Sequence, residues 1–91
     1  MPREYKTSKN FDRILDKLQK KDKTLFESLL KKMDEILNVS DVEHYKNLRY
    51  NMKDSKRVHV GSFVLIFQFD KSKNFISFDD FDHHDNVYVK R

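Results

Sequence analysis

The sequence predicts a single small α+β domain, residues 1–91, in which a helical hairpin packs on a small antiparallel sheet in the order β-α-α-β-β-β. A chain of 91 residues suffices for one compact core but not for two. Its first half carries apolar residues at helical spacing, whereas its second half carries them at every second position. The two helices are therefore expected to cover the apolar face of the strands.

The first half of the chain predicts a short strand and two amphipathic helices. Residues 3–7 are compatible with a brief first strand. Ser8 or Thr7 can cap a helix of about residues 8–20, whose apolar stripe comprises Phe11, Ile14, Leu15 and Leu18. Asp22 can cap a second helix, whose apolar stripe comprises Leu25, Leu29, Leu30, Met33, Ile36 and Leu37.

The second half predicts a three-stranded meander. After Val58, Val60 and the single Gly61, four large residues fall at alternate positions and should face one side of a sheet: Phe63, Leu65, Phe67 and Phe69. Val64 and Ile66 should face the other side. A polar turn at residues 70–74 leads to a further strand at residues 75–81.

Composition limits the classes of function. The sequence has no cysteine, so disulfides, thiolate catalysis and cysteine-bound zinc are excluded. No apolar run approaches the roughly 20 residues that span a bilayer, and the first ten residues do not resemble a secretory signal. We therefore expect a cytoplasmic protein that does not contact a membrane.

Charge is distributed unevenly along the chain. The 19 Lys and Arg against 15 Asp and Glu give a net charge of +4, which is compatible with a polyanionic partner. Residues 46–59 contain one acidic residue, Asp54, and five Lys or Arg: Lys46, Arg49, Lys53, Lys56 and Arg57. Residues 79–85 carry four aspartates. The middle of the chain is therefore the expected contact for nucleic acid.

An ordered set of features resembles the RelE branch of the RelE/ParE toxins. The features are a lysine-rich helical hairpin, the segment Tyr45-Lys46-Asn47-Leu48-Arg49, a basic strand, a glycine before an alternating aromatic strand, and the ending His83-His84-Asp85-Asn86-Val87-Tyr88. The resemblance implies an endoribonuclease that cleaves mRNA on the ribosome and inhibits translation. It also implies a cognate RelB-type antitoxin as partner and no cofactor.

The same resemblance implies roles for individual residues. Arg49 matches the family's leucine-arginine position, while Lys53, Lys56 and Arg57 resemble its phosphate-binding cluster, and Tyr88 matches the tyrosine of its ending. His83 or His84 stands where many members have Lys or Arg. We assign catalysis to Arg49, Arg57, His83, His84 and Tyr88, and RNA binding to Lys46, Lys53, Lys56 and His59.

These roles fit a metal-free cleavage in which the 2'-hydroxyl attacks the phosphate. Fixed cations stabilise the phosphorane, Tyr88 is the candidate base, and His83 or His84 is the candidate acid. The mechanism requires the cations of the central strand and the titratable groups of the tail to converge on one concave face. Val64 departs from the family pattern, which usually has arginine there. Either another cation such as Arg57 or His59 supplies that charge, or catalysis is weaker or organised differently from that of the better-known members.

Three alternatives and a metal hypothesis remain open at this stage. The alternatives are a ParE-like gyrase poison, a noncatalytic RNA-binding module, and a degenerate toxin that retains only antitoxin binding. The acidic segment with His83 and His84 has donor atoms that suit divalent ions. Because adjacent residues on a strand point to opposite faces, we expect no metal site there.

Overall fold

The structure is a computed structural model that describes residues 2–47 and 55–88. The five strands are β1 (Glu4–Thr7), β2 (Lys46–Asn47), β3 (Ser55–Val60), β4 (Phe63–Asp70) and β5 (Phe75–His83). The helices are α1 (Lys9–Lys21), α2 (Lys23–Asn38) and α3 (His84–Tyr88), and a single 3-10 turn covers Val42–His44. Within the described ranges, no helix is long and apolar enough to cross a membrane.

The strands form one mixed sheet in the order β1-β5-β4-β3-β2. Strands β3 to β5 pair in antiparallel fashion, as predicted for the meander. Strand β2 pairs with β3 in antiparallel fashion, whereas β1 pairs with β5 in parallel. The β3–β4 turn places Gly61 at φ 62°, a left-handed conformation that favours glycine. The predicted α+β fold is confirmed, and the structure adds the two-residue β2 and the terminal α3 to the predicted order.

Both predicted helix caps are confirmed. The Ser8 side chain accepts a hydrogen bond from the Phe11 backbone N–H at 3.0 Å, and Asp22 accepts one from the Leu25 N–H at 3.1 Å. The Ser8 hydroxyl also donates to the Asp79 carbonyl at 2.8 Å, where β5 has an extra residue relative to β4. The start of α1 is therefore fixed directly against the sheet.

The core lies between the helical hairpin and one face of the sheet. Its fully buried side chains include those of Phe11, Leu29, Ile36, Phe67 and Phe78. The alternating aromatic residues of β4 all belong to this core or pack against it, as predicted from their period of two.

The apolar stripe of α2 is narrower than predicted. Leu37 is buried, but Leu30 is 40% exposed. Leu29 already occupies the core-facing position of that helical turn, and the next residue is rotated by about 100° from it. The prediction that Leu30 belongs to the core-facing stripe is therefore wrong.

Arg3 connects the start of β1 to the end of α2 and to the β4–β5 turn through hydrogen bonds of its side chain and its backbone. Its guanidinium donates to Asn74, in the β4–β5 turn, through Nε at 2.8 Å, and its backbone N–H donates to the Leu37 carbonyl at 2.9 Å. The guanidinium also donates to backbone carbonyls at and beyond the end of α2, those of Ile36, Leu37, Val39 and Ser40. A cation at this end of a helix satisfies carbonyls that lack helical partners and opposes the helix dipole.

We expect Arg3→Ala to lower the free energy of unfolding by about 1.5–3 kcal/mol, the range for hydrogen bonds that involve a charged group. Arg3→Lys should be intermediate, because an ammonium keeps the charge but cannot reach several carbonyls in one plane. Urea denaturation measures both effects. Arg13→Ala, an exposed position on α1, is the matched control and should change stability by less than about 0.5 kcal/mol. Equal losses for the Arg3 and Arg13 variants would contradict the role of Arg3.

Candidate functional site

The register of the strands determines on which of the two faces of the sheet each predicted site residue lies. Residues directly opposite one another in antiparallel strands point to the same side. Phe63 and Leu65 of β4 face the helices, so Val64 and Ile66 point away from them. We call the side away from the hairpin the open face, and define it by Val64 and Ile66 with their cross-strand partners Arg57, His59, Asp80 and Asp82.

Two of the predicted cations are direct neighbours on the open face. Lys46 of β2 lies opposite Arg57 of β3, and such opposite residues have Cβ atoms about 5 Å apart. The Arg57 Nε donates to the Asn47 carbonyl at 3.0 Å, which fixes the guanidinium beside β2. His59, two residues along β3, shares this face. The structure therefore brings Lys46, Arg57 and His59 together.

The structure contradicts the assignment of Lys56 to RNA binding, because Lys56 lies on the helix side of the sheet. It pairs with Phe67 on the helix side of the sheet and is only 2% exposed. Its Nζ donates to Asn47 Oδ1 at 3.0 Å and forms an ion pair with Glu43 Oε1 at 3.1 Å. An ammonium buried in this way cannot contact a phosphate, so Lys56 is a structural residue.

The two adjacent histidines lie together at the end of β5. His83 pairs with Phe63 on the helix side of the sheet, and the two rings meet edge to face with centroids 5.5 Å apart. The His84 ring stacks on that of His83 at 4.8 Å. His83 therefore lies on the opposite side from Arg57, and the expectation that these two residues share one face is wrong.

The short α3 nevertheless brings the tail back to the sheet. The His84 N–H donates to the Ser62 carbonyl at 2.9 Å, and Asn86 Nδ2 donates to Asp82 Oδ1, on the open face, at 3.0 Å. Tyr88 is the last residue of α3, but its side chain lies outside the described part of the structure. Arg49 and Lys53 also lie outside the described residues.

Asn86 was not among the predicted site residues. Its position in the ending His83-His84-Asp85-Asn86-Val87-Tyr88 was visible in the sequence, but its partner was not. The pairing with Asp82 joins residues four apart across the junction of a strand and a helix. Only the structure shows that the chain changes direction there.

Val64, which stands where the family usually has arginine, is fully buried on the open face. It lies between His59 of β3 and Asp82 of β5. The valine side chain contributes no charge at this position. The residue of β3 directly opposite Val64 is His59, which is titratable. Among the described residues, the side of the sheet away from the hairpin carries Lys46 of β2, Arg57 of β3 and, at the other edge, Lys6 of β1.

Tyr45, just before Lys46, is a structural tyrosine. Burial raises its pKa well above the ordinary range, and a hydrogen bond that its hydroxyl donates to Glu35 raises it further. The same hydrogen bond, followed by one from Lys32, lowers the pKa of Glu35. Tyr45 therefore stays a neutral phenol at physiological pH and does not act as a base.

A helical hairpin packed on one face of a five-stranded mixed sheet is the fold that the solved RelE toxins share. The chain is 49% identical over 83 residues to "Putative toxin RelE4" of Methanocaldococcus jannaschii, covering 90% of this chain and 86% of the relative. It is 40% identical over 84 residues to an uncharacterized protein of Methanosarcina mazei, covering 91% and 95% of the two chains. No sequence model of a protein family matches the chain.

Solved structures support the fold. The toxin-antitoxin complex RelBE2 of Mycobacterium tuberculosis superposes with a TM-score of 0.71 at 15% identity, covering 91% of this chain and 92% of the other. The isolated E. coli RelE toxin gives 0.67 at 20% identity, covering 89% and 83%. The archaeal RelE-RelB complex of Pyrococcus horikoshii gives 0.64 at 17% identity, covering 91% and 96%.

The chain belongs to the RelE family of toxins. The identity to the Methanocaldococcus jannaschii protein extends over most of both chains, and the fold agrees with that of the solved RelE structures. The family resemblance read from the sequence is therefore confirmed.

We expect the Lys56–Glu43 ion pair to stabilise the fold measurably. Glu43→Gln should cost about 1–3 kcal/mol, because it leaves the buried Lys56 ammonium with less compensation. In a Lys56→Met background the same Glu43→Gln change should cost less than about 0.5 kcal/mol. Urea denaturation of the four proteins gives this double-mutant cycle. A Glu43→Gln cost that is unchanged by Lys56→Met would show that the two groups do not interact.

Proposed function

We propose that this chain is the toxin of a type II toxin-antitoxin system, an endoribonuclease that cleaves mRNA on the ribosome and is neutralised by a RelB-type antitoxin. The observation that carries the proposal is the pair of cations Lys46 and Arg57, placed opposite one another on the open face of a RelE-family chain.

The cation pair is what a phosphate-binding site requires. A phosphate placed between two opposite cations is attracted to both of them. An arginine can donate two parallel hydrogen bonds to a phosphate, while a lysine adds a mobile point charge. The open face therefore favours the backbone of RNA as ligand, with Lys53 as a further expected contact.

The proposed chemistry combines groups of this face with Arg49 and the side chain of Tyr88, both outside the described part of the structure. Arg57 and Lys46 stabilise the charge that develops on the phosphorane, and Arg49 helps to position the phosphate. Tyr88 removes the proton of the 2'-hydroxyl, and this requires nearby positive charge because the ordinary pKa of tyrosine is about 10. We assign the acid that protonates the departing 5'-oxygen to His59, because it lies on the face of Arg57, whereas His83 does not.

The antitoxin part of the proposal is supported by the edges of the sheet and by the structural neighbours. Strand β1 is an edge strand, and its Tyr5 is 51% exposed. Such an edge, on a chain of net charge +4, suits a mostly acidic partner that adds a strand or lays a helix beside it. Two of the similar solved structures are complexes of RelE with RelB.

The direct test is expression of the chain alone, with mapping of mRNA 5' ends. We expect growth arrest and new ends at codon positions within translated messages, and both should disappear when the product of the adjacent antitoxin gene is co-expressed. DNA breaks that depend on gyrase, without new mRNA ends, would instead identify a gyrase poison. RNA binding without any cleavage product would leave only a binding module.

A matched pair of variants tests the cation site. Arg57→Gln should lower the rate of cleavage of ribosome-bound mRNA by about 10²–10³-fold, as expected when a donor to the transition state is lost. Lys31→Gln removes one exposed positive charge from α2 and should leave the rate within about twofold. Equal effects of the two variants would show that net charge, and not the open face, controls activity.

A further inference from the structure

Three potential metal ligands meet where β5 ends and α3 begins. His83 Nδ1 lies 3.6 Å from Asp85 Oδ2, and His84 Nδ1 lies 3.3 Å from Asp85 Oδ1. The donor atoms of the three residues all lie within 4.8 Å of one another. The sequence argument against a metal site assumed that adjacent side chains point to opposite faces. That assumption fails here because the strand ends at His83, and the two imidazoles stack on the same side.

The distances match the geometry of a small transition-metal ion. Zinc binds imidazole nitrogen and carboxylate oxygen at about 2.0–2.2 Å, so two ligands at tetrahedral corners lie about 3.4 Å apart. The two nitrogen-to-oxygen distances lie close to that value, although they end at different oxygens of the Asp85 carboxylate, so this carboxylate must turn for one of its oxygens to meet both histidines at the ion. The histidine side chains are 39% and 46% exposed, so their rings have room to turn about the soft χ2 torsion and direct their lone pairs to one point.

The backbone around the cluster is held by hydrogen bonds. Asp82 Oδ1, on the open face, accepts hydrogen bonds from the His83 N–H at 2.8 Å and from Asn86 at 3.0 Å, which fixes the chain where β5 passes into α3. One interaction opposes metal binding. The Asp85 N–H donates a hydrogen bond to His83 Nδ1 at 3.2 Å, and this bond would break when the nitrogen binds an ion. We therefore expect a moderate affinity rather than that of a buried structural site.

We propose that His83, His84 and Asp85 form a binding site for a divalent transition-metal ion such as Zn²⁺, Ni²⁺ or Co²⁺. Three protein ligands leave at least one coordination position for water. Two imidazole nitrogens select these ions over Mg²⁺ and Ca²⁺, which prefer oxygen ligands. The ion would fix the end of β5 to the start of α3. The ion takes no part in the proposed RNA cleavage. The metal-site proposal therefore does not depend on the proposed function.

Titration of the untagged chain with Co²⁺ tests this site without any activity measurement. We expect one Co²⁺ per chain, visible absorption bands of a low-coordinate Co²⁺ complex, and loss of those bands when Zn²⁺ is added but not when the same concentration of Mg²⁺ is added. His83→Ala, His84→Ala and Asp85→Asn should each weaken binding about tenfold or more, since even loss of groups that only support a ligand costs about 10–100-fold.

His44→Ala is the matched control, because His44 is an exposed histidine in the turn before β2. It should leave the Co²⁺ affinity unchanged. Circular dichroism of each variant verifies that the fold is retained. Absence of the absorption bands, or equal affinity for the parent chain and the His84→Ala and Asp85→Asn variants, would overturn the proposal.

Discussion

The register of β3 against β4 and of β4 against β5 is the constraint on which the rest of this structure depends. Side chains alternate between the two faces of a strand, and a slip of one residue would exchange every inward and outward position. Phe63, Leu65 and Phe67 of β4 pack into or against the core under the helical hairpin, and this packing fixes the register. Once it is fixed, Arg57 must face away from the helices and Lys56 must face toward them.

That alternation gives neighbouring lysines different functions. Lys46 pairs across the strands with Arg57 on the open face, the side of the sheet proposed to bind RNA. Lys56 is held inside by Asn47 and Glu43. A count of basic residues in this segment therefore overstates the charge available to RNA, because part of it stabilises the attachment of β2 to β3.

Residues 83–86 also contact both faces of the sheet. Histidine at position 83 continues the inward side of β5 and touches Phe63, while Asn86 returns to Asp82 on the open face. The short α3 thus connects the two sides of the sheet at its end. The same segment therefore contributes a proposed metal site on one side and leads, on the other, toward the face proposed to bind RNA.

The sequence by itself determined the fold class, both helix caps and the alternating strand, because these depend on residues that are neighbours along the chain. Ser8, Asp22 and the aromatic residues of β4 carry that information in their spacing. The family was also readable from the ordered motifs. Only the tertiary structure decided that β1 joins the sheet in parallel, that Lys56 is buried, and that His83 and Arg57 lie on opposite sides. The physical reason is that these properties depend on cross-strand register and on where β5 gives way to a helix, and both are set by contacts between residues far apart in the chain.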